Sequence, residues 1–299
     1  MAKRQPFIWG AIQIIKKIIF ALPHNCACVF GRKIGFLVAV FSHKKVSEAT
    51  IRCSRALGVS EKQAREIVYA SYGHFGCAAV EFMRLPIMLD RLDTLVRVHG
   101  KENLDAALAC GKGVMFITAH LGNWEYAASI FAKHGYPING LVAEQRDTRI
   151  TKLIEDIRIA SKVKVLYKSS DLKKMISLLR KGELIAVPID QDARDKGVLS
   201  PFLGLPASTP IGVAKLADKF GCKVVAGFCV RADDGIYDFH ILPAFEDTCD
   251  KRFGEDIQAT MDRCNAVISE WIKKYPKQWM WLYPRWESVE NGEVYEMRA

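Results

Sequence analysis

No Cys-x-x-Cys pair occurs in the 299 residues, although nine cysteines are present. Cys26 and Cys28 are too close for the usual zinc half-site, and no His or Cys pair follows at finger spacing, so no metal centre is expected. An odd count without pairing motifs reads as buried or neutral thiols in a reducing compartment, which suits the cytoplasmic side of a membrane. A Gly-x-Ser-x-Gly elbow is missing, which disfavours a serine acyl-enzyme. Also missing are the Gly-x-x-x-x-Gly-Lys-Ser/Thr phosphate loop and a dinucleotide Gly-x-Gly-x-x-Gly after a strand, so no cofactor is expected. The chain has neither an internal repeat nor a low-complexity linker.

Long uncharged runs are lacking as well. From Phe7 to Phe41 the chain is rich in Ile, Phe, Val and Ala, but Lys16-Lys17 and Arg32-Lys33 interrupt it. No uncharged stretch therefore reaches the roughly 18 residues of a spanning helix. A small-residue cleavage site, as in a secretory signal, is absent. Lysines spread through an apolar stretch can snorkel from a helix lying in the interface. The reading favoured is two in-plane or shallowly inserted helices broken near Pro23, ahead of a tilted single span or an ordinary core pair. Residues 1–45 are accordingly expected to form a membrane-associating helical segment, and residues 46–299 a single α/β domain.

What is present in abundance is apolar residues, about half of the chain, enough for a sizeable core. Lys and Arg number 43 against 33 Asp and Glu, a formal +10. That surplus suits anionic partners: acidic lipids, phosphorylated substrates, nucleic acid or an acidic carrier protein. Nucleic acid is set aside because there is neither a recognition motif nor a long basic stripe.

Residues 46–95 read as helical, with Ser60 a candidate N-cap before Glu61-Lys62-Gln63. From about residue 98 strands alternate with helices. A short helix over Asn103–Cys110 ends at Gly111, and Val114–Thr118 is a buried strand followed by a helix from about Asn123. Strands are expected at 138–142, 163–166, 184–189, 223–230 and 236–242. The helices between and after them are marked by Ile150/Leu153/Ile154/Ile157, by Leu172/Met175/Ile176/Leu179, and by residues 209–219 and about 255–273. This alternation predicts an α/β fold with a mostly parallel central sheet flanked by helices.

Chemistry concentrates in Thr118-Ala119-His120-Leu121-Gly122-Asn123-Trp124-Glu125. The strand before it aims its C-terminal end at the edge where open α/β sheets bind ligands, which puts His120 in the strand-to-helix turn. Asn123 is a good N-cap, placing Glu125 in the first helical turn, where the helix dipole favours an ionised carboxylate. From there Glu125 is expected to curl back and fix the imidazole tautomer. A histidine so held can take a proton from an acceptor hydroxyl, which then attacks an activated acyl carbonyl without an enzyme nucleophile.

His120-Leu121-Gly122-Asn123-Trp124-Glu125 resembles the His-x4-Glu signature of the bacterial lipid A biosynthesis lauroyl/myristoyl acyltransferase family, within the lysophospholipid acyltransferase-like superfamily. Further blocks agree in order: Gly111-Lys112-Gly113, Arg146, Gly182, Asp190-Gln191-Asp192, Phe202-Leu203-Gly204 with Pro206-Ala207 and Thr209, Gln278-Trp279-Met280-Trp281, and Arg285-Trp286. One departure is Tyr283-Pro284 where the family often has His-Arg. The resemblance implies fatty acyl transfer, usually from acyl carrier protein thioester, to a lipid A precursor hydroxyl at the cytoplasmic face of the inner membrane. It also implies an anionic membrane surface as a partner, His120 as general base and Glu125 as its partner. Asn123, Arg146, Asp190, Gln191, Asp192 and Arg285 become candidates for substrate binding, Arg146 through a phosphate, a carboxylate or the oxyanion. Trp279, Trp281 and Trp286 are expected either along an acyl groove, at the membrane interface or in the core. Other readings are acylation of another glycolipid or glycerolipid, and a catalytically silent membrane lipid-binding protein.

Overall fold

Pro23 divides the apolar N-terminus into two helices, α1 (Gln5–Ala21) and α2 (His24–Phe41), in a computed structural model that describes residues 5–167, 170–247 and 252–292. Two more helices follow. α3 (His43–Leu57) ends on Gly58 in the left-handed region, φ 65°. α4 (Glu61–Met88) opens with a capping box: Ser60 Oγ accepts from Gln63 N while the Gln63 side chain accepts from Ser60 N.

After the one-turn α5 (Leu92–Leu95) the chain becomes α/β: β1 (Val96–His99), α6 (Lys101–Ala109), β2 (Val114–Thr118), α7 (Trp124–Lys133), β3 (Ile138–Val142), α8 (Thr148–Ala160), β4 (Lys164–Tyr167), α9 (Leu172–Arg180) and β5 (Leu184–Pro188). The second half is β6 (Gly197–Phe202), β7 (Leu205–Pro210), α10 (Gly212–Phe220), β8 (Lys223–Arg231), β9 (Tyr237–Ala244), α11 (Ile257–Lys274) and α12 (Glu287–Glu290).

The main sheet has the order β1-β9-β8-β2-β5-β3-β4. Strands β8, β2, β5, β3 and β4 are parallel; β9 turns back antiparallel to β8 and carries β1 with it. The sheet is thus mostly parallel, as its sequence pattern implies. β2 is buried at every position because both sheet faces are covered. Its alternate side chains feed two cores: Met115 and Ile117 pack on the α10/α11 side, Val114 and Phe116 on the α6/α7 side.

One expectation is corrected: residues 209–210 are strand, not the start of a helix. Leu203 and Gly204 both take positive φ, 52° and 83°, the conformation of a two-residue hairpin turn that pairs β6 with β7 and delays α10 to Gly212. Of the cysteines, the eight described are free thiols, with Cys26 and Cys110 exposed and the others buried. Cys249, and residues 1–4 and 293–299 at the two ends of the expected division, lie outside the described residues.

Helices α2 and α4 cross antiparallel at glycine contacts. A Cβ on Gly31 would lie 2.5 Å from the Gly76 carbonyl oxygen, and one on Gly35 would lie 2.1 Å from the Tyr72 carbonyl oxygen. Arg84 of α4 donates to the carbonyls of Ile19 and Leu22, satisfying the C-terminal end of α1. The opposite face of α2 is bare: Val29, Phe36, Leu37, Val38 and Phe41 are exposed, as are Ile14 and Ile18 of α1. α2 is long and apolar enough to cross a membrane by length and composition, but only 28% of it is buried.

The close crossing makes Gly35 intolerant of a side chain. Gly35→Ala should lower unfolding free energy by about 1–3 kcal/mol through overpacking. Gly10→Ala in α1, where a Cβ meets open space, should be neutral or stabilising by up to about 1 kcal/mol. Urea unfolding of both variants beside wild type checks the contrast.

Candidate active site

Parallel pairing of β2 with β5 sets Thr118 opposite Pro188. Counting two residues on along each strand brings His120 opposite Asp190, and there the two side chains meet. Asp190 Oδ2 accepts from the His120 backbone N–H at 2.8 Å, and Asp190 Oδ1 lies 2.8 Å from His120 Nδ1. Trp279 Nε1 donates to Asp190 Oδ2, also at 2.8 Å. Asp190 is 2% exposed and His120 is partly open. Burial opposes ionisation of Asp190, but the His120 charge and the hydrogen bonds from His120 and Trp279 outweigh it and hold the pKa below the ordinary carboxylate value. An ionised carboxylate can only accept, so the proton of the neutral imidazole sits on Nδ1 and the Nε2 lone pair is left for a substrate proton.

The turn carrying His120 is gripped on every side. Gly122 has φ 66°, and a Cβ there would come within 1.9 Å of the Cys229 carbonyl oxygen, so only glycine fits. Gly122 N donates to Gln278 O, Met280 N to His120 O, and Asn123 N to Cys229 O. The Gln278 side chain in turn bonds both backbone groups of Arg231. From α4, His74 Nε2 bonds the Gly122 carbonyl at 2.9 Å.

Glu125 is the main correction. It lies in the first turn of α7, as expected, but faces away from His120. Arg158 of α8 grips it with Nε at 3.0 Å and Nη2 at 2.6 Å, and Trp124 Nε1 donates to it at 3.0 Å. Asn123 fixes this direction. By capping α7 through Tyr126 N it starts the helix at Trp124 and leaves Glu125 nearly buried toward α8. Glu125 reaches His120 only through Trp124, whose ring stacks edge-on to the imidazole at 4.9 Å.

The remaining candidates divide. Arg146 is exposed in the loop after β3, on the same C-terminal sheet edge as His120, and Gln191 is half-buried beside Asp190. Three others are engaged by the protein itself. Asn123 is 2% exposed and its amide donates to Glu81 at 3.0 Å. Asp192 accepts from Ser288 N and Oγ and from Arg194 N, pinning α12. Arg285 is fully buried below the β6–β7 hairpin, bonded to Ser208 O and Thr209 Oγ1 and stacked on Phe202; burial pulls its pKa down to about 10. Trp279, Trp281 and Trp286 are core residues. Sequence reasoning missed Asp190 as the imidazole's partner, along with Trp279, His74, Glu81 and Arg158. The signal available was parity: His120 and Asp190 each stand two residues past an apolar strand.

A groove of about 560 Å³ lies between α1 and α8, lined by Trp9, Lys16, Arg149 and Lys152 among others, with Asp156 the carboxylate among them.

Comparison with known proteins places the chain in a family. The profile of the family described as bacterial lipid A biosynthesis acyltransferase matches residues 3–288. The phosphatidylinositol mannoside acyltransferase of Mycobacterium tuberculosis (strain ATCC 25618 / H37Rv) is 26% identical over 243 residues, covering 78% of this chain and 74% of the relative. The lipid A biosynthesis palmitoleoyltransferase of Escherichia coli (strain K12) is 24% identical over 280 residues, covering 91% and 88%. The lipid A biosynthesis lauroyltransferase of the same organism is 25% identical over 238 residues, covering 78% and 76%.

Burial drags the His74 pKa from 6.5 to about 4 against the pull of the Gly122 carbonyl, so the folded ring stays neutral. The unfolded chain takes up this proton below about pH 6.5 while the fold does not until about pH 4. Stability from this source is complete above pH 6.5 and drains away as pH falls toward 4. Urea midpoints measured across that range should fall less steeply in His74→Gln than in wild type.

Proposed function

The chain belongs to the bacterial lipid A biosynthesis acyltransferase family, and we propose that it moves a fatty acyl chain from an acyl carrier protein thioester to a hydroxyl of a lipid A precursor, with His120 as general base. The observation that carries this reading is the two-point contact between His120 and the buried Asp190 carboxylate. His120 Nε2 removes the proton of the acceptor hydroxyl as its oxygen attacks the thioester carbonyl. Asp190 stabilises the imidazolium that forms. Collapse of the tetrahedral intermediate breaks the carbon–sulfur bond, and the departing sulfur takes the proton back from Nε2. The acyl group ends as an ester and the carrier as a free thiol.

Glu125 is a positioning residue in this scheme: it anchors Arg158 and the Trp124 indole, and Trp124 braces the imidazole. Arg146 and Gln191 face the acceptor from the strand-end edge, and the Lys16/Arg149/Lys152 groove suits an anionic headgroup. The bare apolar face of α2 with Arg32 and Lys33 supports docking on an anionic membrane, which this reading takes as the cytoplasmic face of the inner membrane. A second reading, acylation of a phosphatidylinositol mannoside or related glycolipid, is favoured by the name of a relative at 26% identity.

Purified enzyme offered acyl carrier protein thioester with either a tetra-acylated lipid A precursor or a phosphatidylinositol mannoside separates the two readings by mass spectrometry of the product. His120→Ala should cost about 100- to 10,000-fold in kcat, and Asp190→Asn should lower kcat with little change in KM. Glu125→Gln should instead act first on stability, since breaking a buried pair typically costs about 3–5 kcal/mol. Full turnover in His120→Ala would refute the assignment. A folded Glu125→Gln as inactive as His120→Ala would return the partner role to Glu125.

Flotation with anionic vesicles checks the membrane reading. Wild type should float, and a Phe36→Ser, Leu37→Ser, Phe41→Ser triple variant should remain in the dense fraction while keeping its fold.

A further inference from the structure

Beneath the α2–α4 crossing lies a cavity of about 190 Å³ whose lining includes His24, Cys28, Glu81, Tyr126 and Arg231. None of its side chains takes part in the proton transfer. Three buried polar atoms there, His24 Nδ1, Tyr126 Oη and Arg231 Nε, have no hydrogen-bond partner among the described residues, so the space suits a polar occupant.

Each helix contributes a pair of ligand-type side chains one turn apart. His24 and Cys28 are four residues apart on α2, and Cys77 and Glu81 are four residues apart on α4, so each pair shares a helix face. The antiparallel crossing brings the pairs together. Cys28 Sγ lies 3.6 Å from His24 Nε2 and 3.7 Å from Glu81 Oε1. The His24, Cys28 and Glu81 ligand atoms all fall within 4.8 Å of one another.

These separations decide which ion would fit. Ordinary zinc–sulfur and zinc–nitrogen bonds at a tetrahedral angle put the sulfur and nitrogen about 3.6 Å apart, the distance found between Cys28 and His24. A thiolate, an imidazole and a carboxylate together form a soft-to-borderline ligand set that favours zinc over magnesium or calcium. One thiolate and one carboxylate balance the charge of a divalent ion, and Arg231 stands beside the carboxylate. Its Nη2 donates to Cys77 Sγ at 3.4 Å and to Glu81 Oε1, the outer partners such a centre needs. We propose that His24, Cys28 and Glu81 hold a zinc ion that pins α2 to α4, with water from the cavity in the fourth position. The sequence hides it because Cys28 and Glu81 are 53 residues apart and meet only where two helices cross.

The site connects to the catalytic turn through Glu81, which also accepts from Asn123 at 3.0 Å and from Tyr237 at 2.6 Å. A zinc ion there would order the N-terminal helices without touching substrate.

The test uses full-length protein, reduced, stripped with chelator and titrated with cobalt and then zinc. One equivalent of cobalt should bind with thiolate-to-metal charge-transfer absorption, zinc should displace it, and zinc should raise the melting temperature. Cys28→Ser should abolish the charge-transfer band. His24→Ala, at a half-exposed position that folding tolerates, should weaken zinc binding by about tenfold or more. Cys26→Ser, on the exposed side of α2, should bind as wild type. Absence of the cobalt band in folded wild type, or an unchanged band in both Cys28→Ser and His24→Ala, would overturn the site. Neither result bears on the acyl-transfer assay, which reads His120 and Asp190.

Discussion

A single buried carboxylate gathers the C-terminal edge of the parallel strands. Asp190 takes three hydrogen bonds, two from His120 and one from Trp279, and those donors come from segments that are distant in the chain. A charge at 2% exposure is tolerable only when its lone pairs are filled this way. Its partners are therefore held as firmly as the carboxylate is. The end of β2, the end of β5 and the Gln278–Trp281 block close around it as one unit, with Gly122, His74 and Gln278 fixing the backbone between them.

Much of the fold was legible from periodicity. The Val114–Thr118 run had no polar face and became the central strand, Ser60 capped α4, and Pro23 split the N-terminus. The β6–β7 hairpin was not legible, because it depends on Leu203 adopting positive φ, which no apolar residue advertises. The place of His120 in a strand-to-helix turn was legible from the apolar run before it and Asn123 after it. Its partner was misassigned for a physical reason. Reasoning along the chain finds neighbours in sequence, and Glu125 was the nearest carboxylate, whereas the sheet makes neighbours of residues 70 apart. Once β2 and β5 are paired in register the partner follows, but strand adjacency is a tertiary property.

Arg285 carries the same lesson from the other side. An arginine near a C-terminal aromatic block suggests a headgroup ligand, yet this one is entombed, bonded to Ser208 and Thr209 and stacked on Phe202. Its role is to hold the hairpin against the C-terminal segment. Asp192 does comparable work at Ser288. Charged residues in a sequence block can be joinery as readily as contacts to substrate, and burial decides between them.

The strand order has a consequence for how the protein is made. β5 lies between β2 and β3, although it is synthesised after both, so the gap it fills must stay open until it arrives. Trp279 follows 89 residues behind Asp190. On the ribosome, then, the apolar helices emerge first and His120 meets Asp190 only late. The polar cluster at this sheet edge is therefore completed last, after every helix before β5 has left the ribosome.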